Sequence, residues 1–419
     1  MLRMSYALPP VEQNRLKPEK NLLGVRQNVF FLGLVSFFTD ISSEMIFTLV
    51  PLFMANVLGV PPSVIGLVGG ISDSTESLGK IYSGRLADKL RRYKALSVAG
   101  YSLSTLSKPF MYLASSWGVV LGVRFTDRLG KGLRTSPRDA LIAMSSEPGK
   151  RGRSFGLHKA MDSAGAFLGL FAAAAVIYFT QRGSIDLTQD TFKMLVLIGI
   201  IPAVIAVIIL VTLVKEPGRE FLPAGEKTSF RAAAKGMSRE FKLFMLVLGI
   251  FTLGNSTNYF AILRAQNLGN SVLDTTLMLV VFNFTYLLAA TPAGILSDRL
   301  GRRRLMIIGW SLYALTYVGF AAAEVNWHMW LLFAVFGVYY GIVEGVAKAF
   351  VSDLVPESKR GTAFGLFYGT TGLLLLPASL IAGFLWQEVG PASPFYFGAV
   401  MAGLAMIGLM VLVKPAKKV

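Results

Sequence analysis

Charged side chains recur within apolar stretches of this sequence, and they recur at helical spacing. Asp40 and Glu44 lie four apart, and Asp73, Glu76 and Lys80 follow one another at steps of three and four. Arg124, Arg128, Lys131, Arg134 and Arg138 step by four, three, three and four with Asp127 beside them, and His158, Lys159 and Asp162 come next. On a helix each set shares a face. Two chemistries suit such sets. A carboxylate withdrawn from water favours its protonated form and a nearby cation opposes this, so it can take and release a proton as its surroundings open. Guanidinium and ammonium groups that converge on one space can hold a carboxylate or a phosphate. Asp40, Glu44, Asp73 and Glu76 are therefore the candidate proton carriers, and Arg124, Arg128, Lys131 and Lys159 the candidate ligands of an anion.

The same residues also suit a structural network, with Asp40, Asp73, Glu76, Asp127 and Asp162 neutralising Lys80, Arg124, Arg128 and Lys159 between packed helices. For the whole set this is the costlier explanation, because a core can be built without so much desolvation. The second half of the chain is quieter. Asn255, Asn258, Asn283, Tyr286, Tyr340 and Tyr368 interrupt its apolar stretches, and Glu344 and Lys348 have the spacing of an intrahelical pair. Asn255, Asn258, Tyr286 and Tyr340 suit a partly apolar wall that fixes a small molecule by a few polar contacts, although aromatic packing explains most such residues as well.

The elements that position these residues are membrane helices. Of 419 residues 53% are hydrophobic and 16% charged, and the mean hydropathy is +0.57, which is not the balance of a soluble protein. Apolar stretches of about 20 residues, enough for a bilayer core of about 30 Å, recur along the chain. Twelve helices are expected near 28–57, 62–84, 94–115, 117–143, 154–179, 192–214, 242–265, 273–296, 304–323, 327–352, 361–386 and 394–413. The 26 residues before Gln27 lack the apolar core and cleavage site of a secretory signal. With no cysteine and two histidines, His158 and His328, neither a thiol nucleophile nor a His/Cys metal site is available, so no metal or cofactor is expected and the chain does not read as an enzyme. No phosphate loop of an ATP-driven pump is present either; Gly79-Lys80 lacks the earlier glycine and the following hydroxyl.

The net charge of +17 sits mainly between helices. The segments 84–94 and 297–304 are strongly basic, and the alternate connections carry few Lys or Arg, which places the basic loops, both termini (1–27 and 414–419) and the link 215–241 in the cytoplasm. The charge is thus an orientation signal and not a nucleic-acid footprint. The link divides the chain into bundles at 28–214 and 242–413, and the two resemble one another: Gly84-Arg-Leu-Ala-Asp88 recurs as Gly294-Ile-Leu-Ser-Asp298, Trp117 as Trp327, and the run from Lys150 to Gly156 as that from Lys359 to Gly365. A six-helix unit repeated in one orientation predicts two bundles related by an axis along the membrane normal, with a site between them at mid-depth.

These motifs resemble the major facilitator superfamily over essentially all twelve spans. The family's loop G-x-x-x-D-[RK]-x-G-R-[RK] is matched by Gly294 to Arg303, with Asp298 and Arg299 in place, and by Gly84, Asp88 and Lys89, where Arg91 replaces the later glycine. The resemblance implies that Gly84, Asp88, Lys89, Gly294, Asp298 and Arg299 gate the cytoplasmic end, the glycines letting helices approach closely. Gly156, Gly165 and Gly169 follow the family's antiporter pattern up to Leu170, which stands for its proline, and Ala173-Ala174 stand for its glycine pair; packing through small residues accounts for the same run. Arg124 stands for the arginine of the family's fourth-helix pattern, with the glycines displaced to Gly130 and Gly132. The expectation is an all-α, twelve-helix integral membrane protein of the inner (plasma) membrane. It would be a monomer that uses protons to export a small organic, anionic or amphiphilic, solute by alternating access. Proton-coupled uptake of an organic anion and a transporter-shaped sensor are the alternatives.

Overall fold

The computed structural model describes residues 21–147, 150–216, 236–356 and 359–413. A two-stranded hairpin pairs Asn21–Leu22 with Val25–Arg26, and the regular elements described after it are all helices. The helices are α1 (Gln27–Val57), α2 (Pro62–Leu90), α3 (Tyr93–Tyr112), α4 (Trp117–Ser145), α5 (Arg151–Gln181) and α6 (Gln189–Thr212). After the segment that contains most of the expected link, which lies outside the described residues, come α7 (Arg239–Asn267), α8 (Val272–Leu300), α9 (Arg302–Ala322), α10 (His328–Asp353), α11 (Arg360–Glu388) and α12 (Ser393–Val411). Among the described residues, nine are long and apolar enough to cross a membrane; α2, α3 and α4 fall short because they carry the acids, the serines and the basic stripe. Several helices outrun their expected spans. α2 continues six residues past the expected end, to Leu90, since the basic residues after Gly84 prolong the helix.

Two helices are interrupted. α1 turns at Thr48 and Leu49 and ends in a π-helical turn, Phe53–Val57. α7 breaks between Gly254 and Tyr259, exposing backbone that Tyr313 Oη caps on the Gly254 carbonyl (2.9 Å) and Ser379 Oγ accepts from at Thr257 N (3.1 Å). Irregular backbone at membrane depth is tolerated where protein groups satisfy it or a cavity adjoins it.

α1 packs on α5 and α6, α2 on α4, and α3 on α4 and α6; later, α8 packs on α10, α9 on α10 and α12, and α7 on α11 and α12. The first six helices meet the last six chiefly along α2 with α11 and α5 with α8. Small residues set the closest approaches. A Cβ on Gly165 would stand 2.3 Å from the Phe37 carbonyl oxygen, and one on Gly169 2.6 Å from that of Ile41, so α1 and α5 touch backbone to backbone. Stacked rings fill the second half: Phe251 lies on Trp310 with centroids 4.7 Å apart, and Tyr313 on Tyr317 at 4.0 Å. Tyr339 belongs to this cluster and is buried.

Candidate functional site: a central cavity and its vestibule

The backbone contact of α1 with α5, the break in α7 and the stripe on α4 together frame a cavity of about 430 Å³. Asp40, Glu44, Asp73, Arg124, Arg128 and Lys131 line it from the first half; Asn255, Asn258 and Tyr340 line it from the second. A second space of about 530 Å³ leads from it towards the basic-loop end, lined by Glu76, Lys80, Lys159, Asp162, Tyr286 and Glu344 among others. Asp40, Lys131 and Arg134 border both, so the two form one path.

The carboxylates divide into two kinds. Glu76 is an ionic hub: its oxygens lie 2.5 Å from Arg128 Nη1, 2.7 Å from Lys80 Nζ and 3.5 Å from Lys131 Nζ. It faces the vestibule and carries the neutralising duty of a structural network. Among the described residues, Asp40, Glu44 and Asp73 have no basic side chain within 4 Å. Glu44 accepts a hydrogen bond from Thr48 Oγ1 (2.6 Å), Asp73 shares the cavity wall with Thr257, and Asp40 and Asp162 both line the vestibule. Two carboxyls that face one space disfavour each other's charge, so such a pair is suited to hold a proton. The glycines of α5 explain the pair, since Gly165 and Gly169 bring Asp162's helix against Asp40's.

The cations divide likewise. Arg128 and Lys131 are tied to Glu76, and Lys159 to Asp162 at 3.1 Å. Lys159 also lies over the Tyr286 ring (5.5 Å), whose hydroxyl donates to Glu344 at 2.7 Å, and Glu344 pairs with Lys348 at 3.1 Å as its spacing predicts. Arg124 is 1% exposed and sits 4.7 Å over the Phe47 ring, 3.7 Å from Asp127. Among the described residues its Nε and Nη1 have no hydrogen-bond partner, and neither has Nη1 of the buried Arg134, which lies over Tyr101 at 4.1 Å. Buried guanidinium N–H groups without acceptors are costly, and an anion entering the cavity would satisfy them. In the second half Tyr340 Oη donates to Asn258 Oδ1 (3.1 Å), and Asn255 Oδ1 has no partner among the described residues. Among the described residues, no cluster of His, Cys, Asp and Glu is placed to hold a metal ion.

The end opposite the basic loops is clasped. Asn56, on the π turn of α1, donates to Gln266 Oε1 (3.1 Å) and accepts from Gln266 Nε2 (2.9 Å) and from Leu187 N (3.0 Å). Gln266 Nε2 also reaches the Ile185 carbonyl at 2.8 Å. Asn56 and Gln266 are 210 residues apart, the offset of the sequence repeat, so equivalent positions of the two halves meet.

The expected gating residues lie away from both cavities. Gly84 would carry a Cβ in ordinary contact with Ser136 at 3.6 Å, and Gly294 faces open space, so neither glycine marks a close approach here. Asp298 is exposed and 3.7 Å from Arg302, which is anchored on Asp353 at 2.5 Å; Lys89 and Arg299 are exposed, and Asp88 lies within α2, its side chain outside what the structure describes. Arg91, which replaces the motif's glycine, takes a left-handed φ of 50°, as Gly301 takes 90° in the other copy.

Sequence reasoning passed over Arg134 and Asp162 as site residues, along with Ser256 and Thr257 in the break. The run of four polar residues after Gly254 within an apolar span was the available signal for the last two.

The sequence pattern of the Major Facilitator Superfamily matches residues 32–263 and 243–419. The MFS-type transporter MJ1317 of Methanocaldococcus jannaschii is 37% identical over 407 residues, covering 96% of this chain and 98% of its own. The quinolone resistance protein NorA of Staphylococcus aureus is 27% identical over 181 residues, 42% of this chain and 45% of its own. Among solved structures, the nucleoside transporter NupG superposes with a TM-score of 0.72 at 14% identity, over 92% of this chain and 98% of that one, a likeness of fold.

Proposed function

The chain belongs to the major facilitator superfamily, and on that premise we propose that it is a proton-coupled secondary transporter that exports a small organic solute by alternating access. In this reading all twelve long helices cross the cell's inner (plasma) membrane as two six-helix bundles, with the basic loops and both termini cytoplasmic. The arrangement described is the inward-open one, clasped at Asn56 and Gln266 and open through the vestibule.

Asp40 and Asp162, two carboxyls lining one space, carry the reading. Asp40 borders both the cavity and the vestibule and Asp162 the vestibule, on two helices in backbone contact, so a rocking of the bundles that alters their surroundings alters their hold on a proton. The unpartnered N–H groups of Arg124 and Arg134 support an anionic group on the solute, and Phe282 and Ile262 in the same wall suit an apolar body. The α5 glycines and the partial likeness to NorA favour export. Uptake of an organic anion with protons is the second reading, favoured because Arg124 and Arg128 line the same cavity as Asp73. An anion that took those cations would leave Asp73 to a proton.

The test is binding to the purified protein of matched anionic, cationic and neutral aromatic solutes, beside Arg124→Gln and Arg134→Gln. Anion binding weakened tenfold or more in either variant supports the reading. Preferential binding of the cations, indifferent to both variants, overturns the anionic solute.

A further inference from the structure

One buried cation takes no part in the site described. Lys108, on α3, is completely buried; its Nζ donates to Ser42 Oγ at 2.6 Å and to Ser43 Oγ at 3.3 Å, and lies 5.7 Å from the centroid of the Phe47 ring. Among the described residues no carboxylate comes within 4 Å. The charges that act on it are Asp127 and Arg134 from α4 and Asp40 from α1; α6, which packs on the same helix, has no titratable group between Met194 and Thr212. Asp127 is already engaged by Arg124 at 3.7 Å and by the Ser104 hydroxyl. An ammonium held by two hydroxyls and a ring is an expensive way to fill a core, and lysine, unlike arginine, is a cation that can give up its proton in such a place. One of those hydroxyls is also part of the cavity wall: Ser43 lines the central space that Asp40 borders.

We propose that Lys108 is a proton-exchanging group that passes a proton between its amine and the central cavity through the Ser43 hydroxyl. An Nζ–H bond breaks as the Ser43 oxygen takes that proton and gives its own to cavity water or to the Asp40 carboxylate, leaving a neutral amine; the reverse transfer restores the ammonium. The chain then holds two proton stores, one on each side of α1: the Asp40–Asp162 pair and Lys108. The inference rests on the transport reading above.

Two measurements test it. The first needs no transport. In nanodiscs, reductive methylation with formaldehyde and cyanoborohydride modifies only a neutral amine that the reagent can reach, and peptide mass spectrometry reads each lysine. Lys108 becomes methylated in the folded protein, faster as the pH is raised, and several-fold more slowly in Ser43→Ala. The second uses radiolabelled salicylate in proteoliposomes. Lys108→Arg, which keeps a charge it cannot release, retains salicylate exchange within about twofold of wild type but loses at least tenfold in accumulation driven by a pH gradient; Ser43→Ala, which removes a single hydroxyl, loses several-fold in the same ratio. The proposal is overturned if Lys108 stays unmodified while exposed lysines react to completion, or if Lys108→Arg and Ser43→Ala keep the wild-type ratio of gradient-driven accumulation to exchange. A wild type that moves no salicylate at all counts against the transport reading with that probe, and the methylation result still decides Lys108.

Discussion

Replacing Gln266 by leucine should open the clasped end. The Gln266 amide makes three bonds it can hold at once: it accepts from Asn56 Nδ2 (3.1 Å) and donates to Asn56 Oδ1 (2.9 Å) and to the Ile185 carbonyl (2.8 Å). All three join the second half to the first. Water can replace them when the end opens, and the site is partly exposed, so each contributes about 0.5–1 kcal/mol net. Their sum is about 2 kcal/mol, which moves the balance between closed and open arrangements by ~30-fold. Because the native sequence has no cysteine, spin labels can be placed without removing any: Ser115→Cys in the α3–α4 loop and Asn326→Cys in the α9–α10 loop, both exposed and both at this end. Pulsed dipolar spectroscopy should find a second, longer distance in Gln266→Leu that is minor or absent in the parent, and Asn56→Leu should reproduce it. A distance distribution unchanged in both variants would refute the idea that this amide pair holds the end shut.

Other expectations follow from single residues. Glu76→Gln strands Lys80, Arg128 and Lys131 without their common acid and should cost about 2–4 kcal/mol, the lower part of that range reflecting partial exposure; a Tm within a degree or two of wild type would contradict the hub. Arg91→Gly relieves a left-handed residue at the end of α2 and should stabilise by about 0.5–1 kcal/mol, read as a rise in Tm. Gly165→Leu would drive a side chain into the Phe37 carbonyl; separating α1 from α5 should cost about 3 kcal/mol or more, and a variant that folds should have lost the coupling of the Asp40–Asp162 pair, so normal stability with normal coupling would contradict the packing account.

Hydropathy and the repeat carried the helical order, because the length of an apolar stretch and the period of a duplicated motif are properties of the chain alone. The site was legible only in part. Asp40 and Asp73 could be singled out because acids in apolar helices are rare, and both line the cavity. Glu76 looked the same in sequence, yet it is consumed by three cations, two of them on another helix, and interhelical pairing has no sequence period to read. That Asp40 and Asp162 face one space depends on how closely α1 and α5 approach, which Gly165 and Gly169 permit without specifying the partner. The motif glycines Gly84 and Gly294 were expected at close approaches that this arrangement does not contain; among the described residues a Cβ on Gly294 would meet nothing within 4 Å.

The most direct test of the central claim is proton movement in proteoliposomes on adding anionic, cationic and neutral solutes, with Asp40→Asn and Asp73→Asn beside wild type. The account predicts that an anionic aromatic solute sets protons moving through the wild-type protein. In both variants that flux should fall at least tenfold, while the solute still binds. Solute transport with no accompanying proton movement, or proton flux unchanged in both variants, would contradict it.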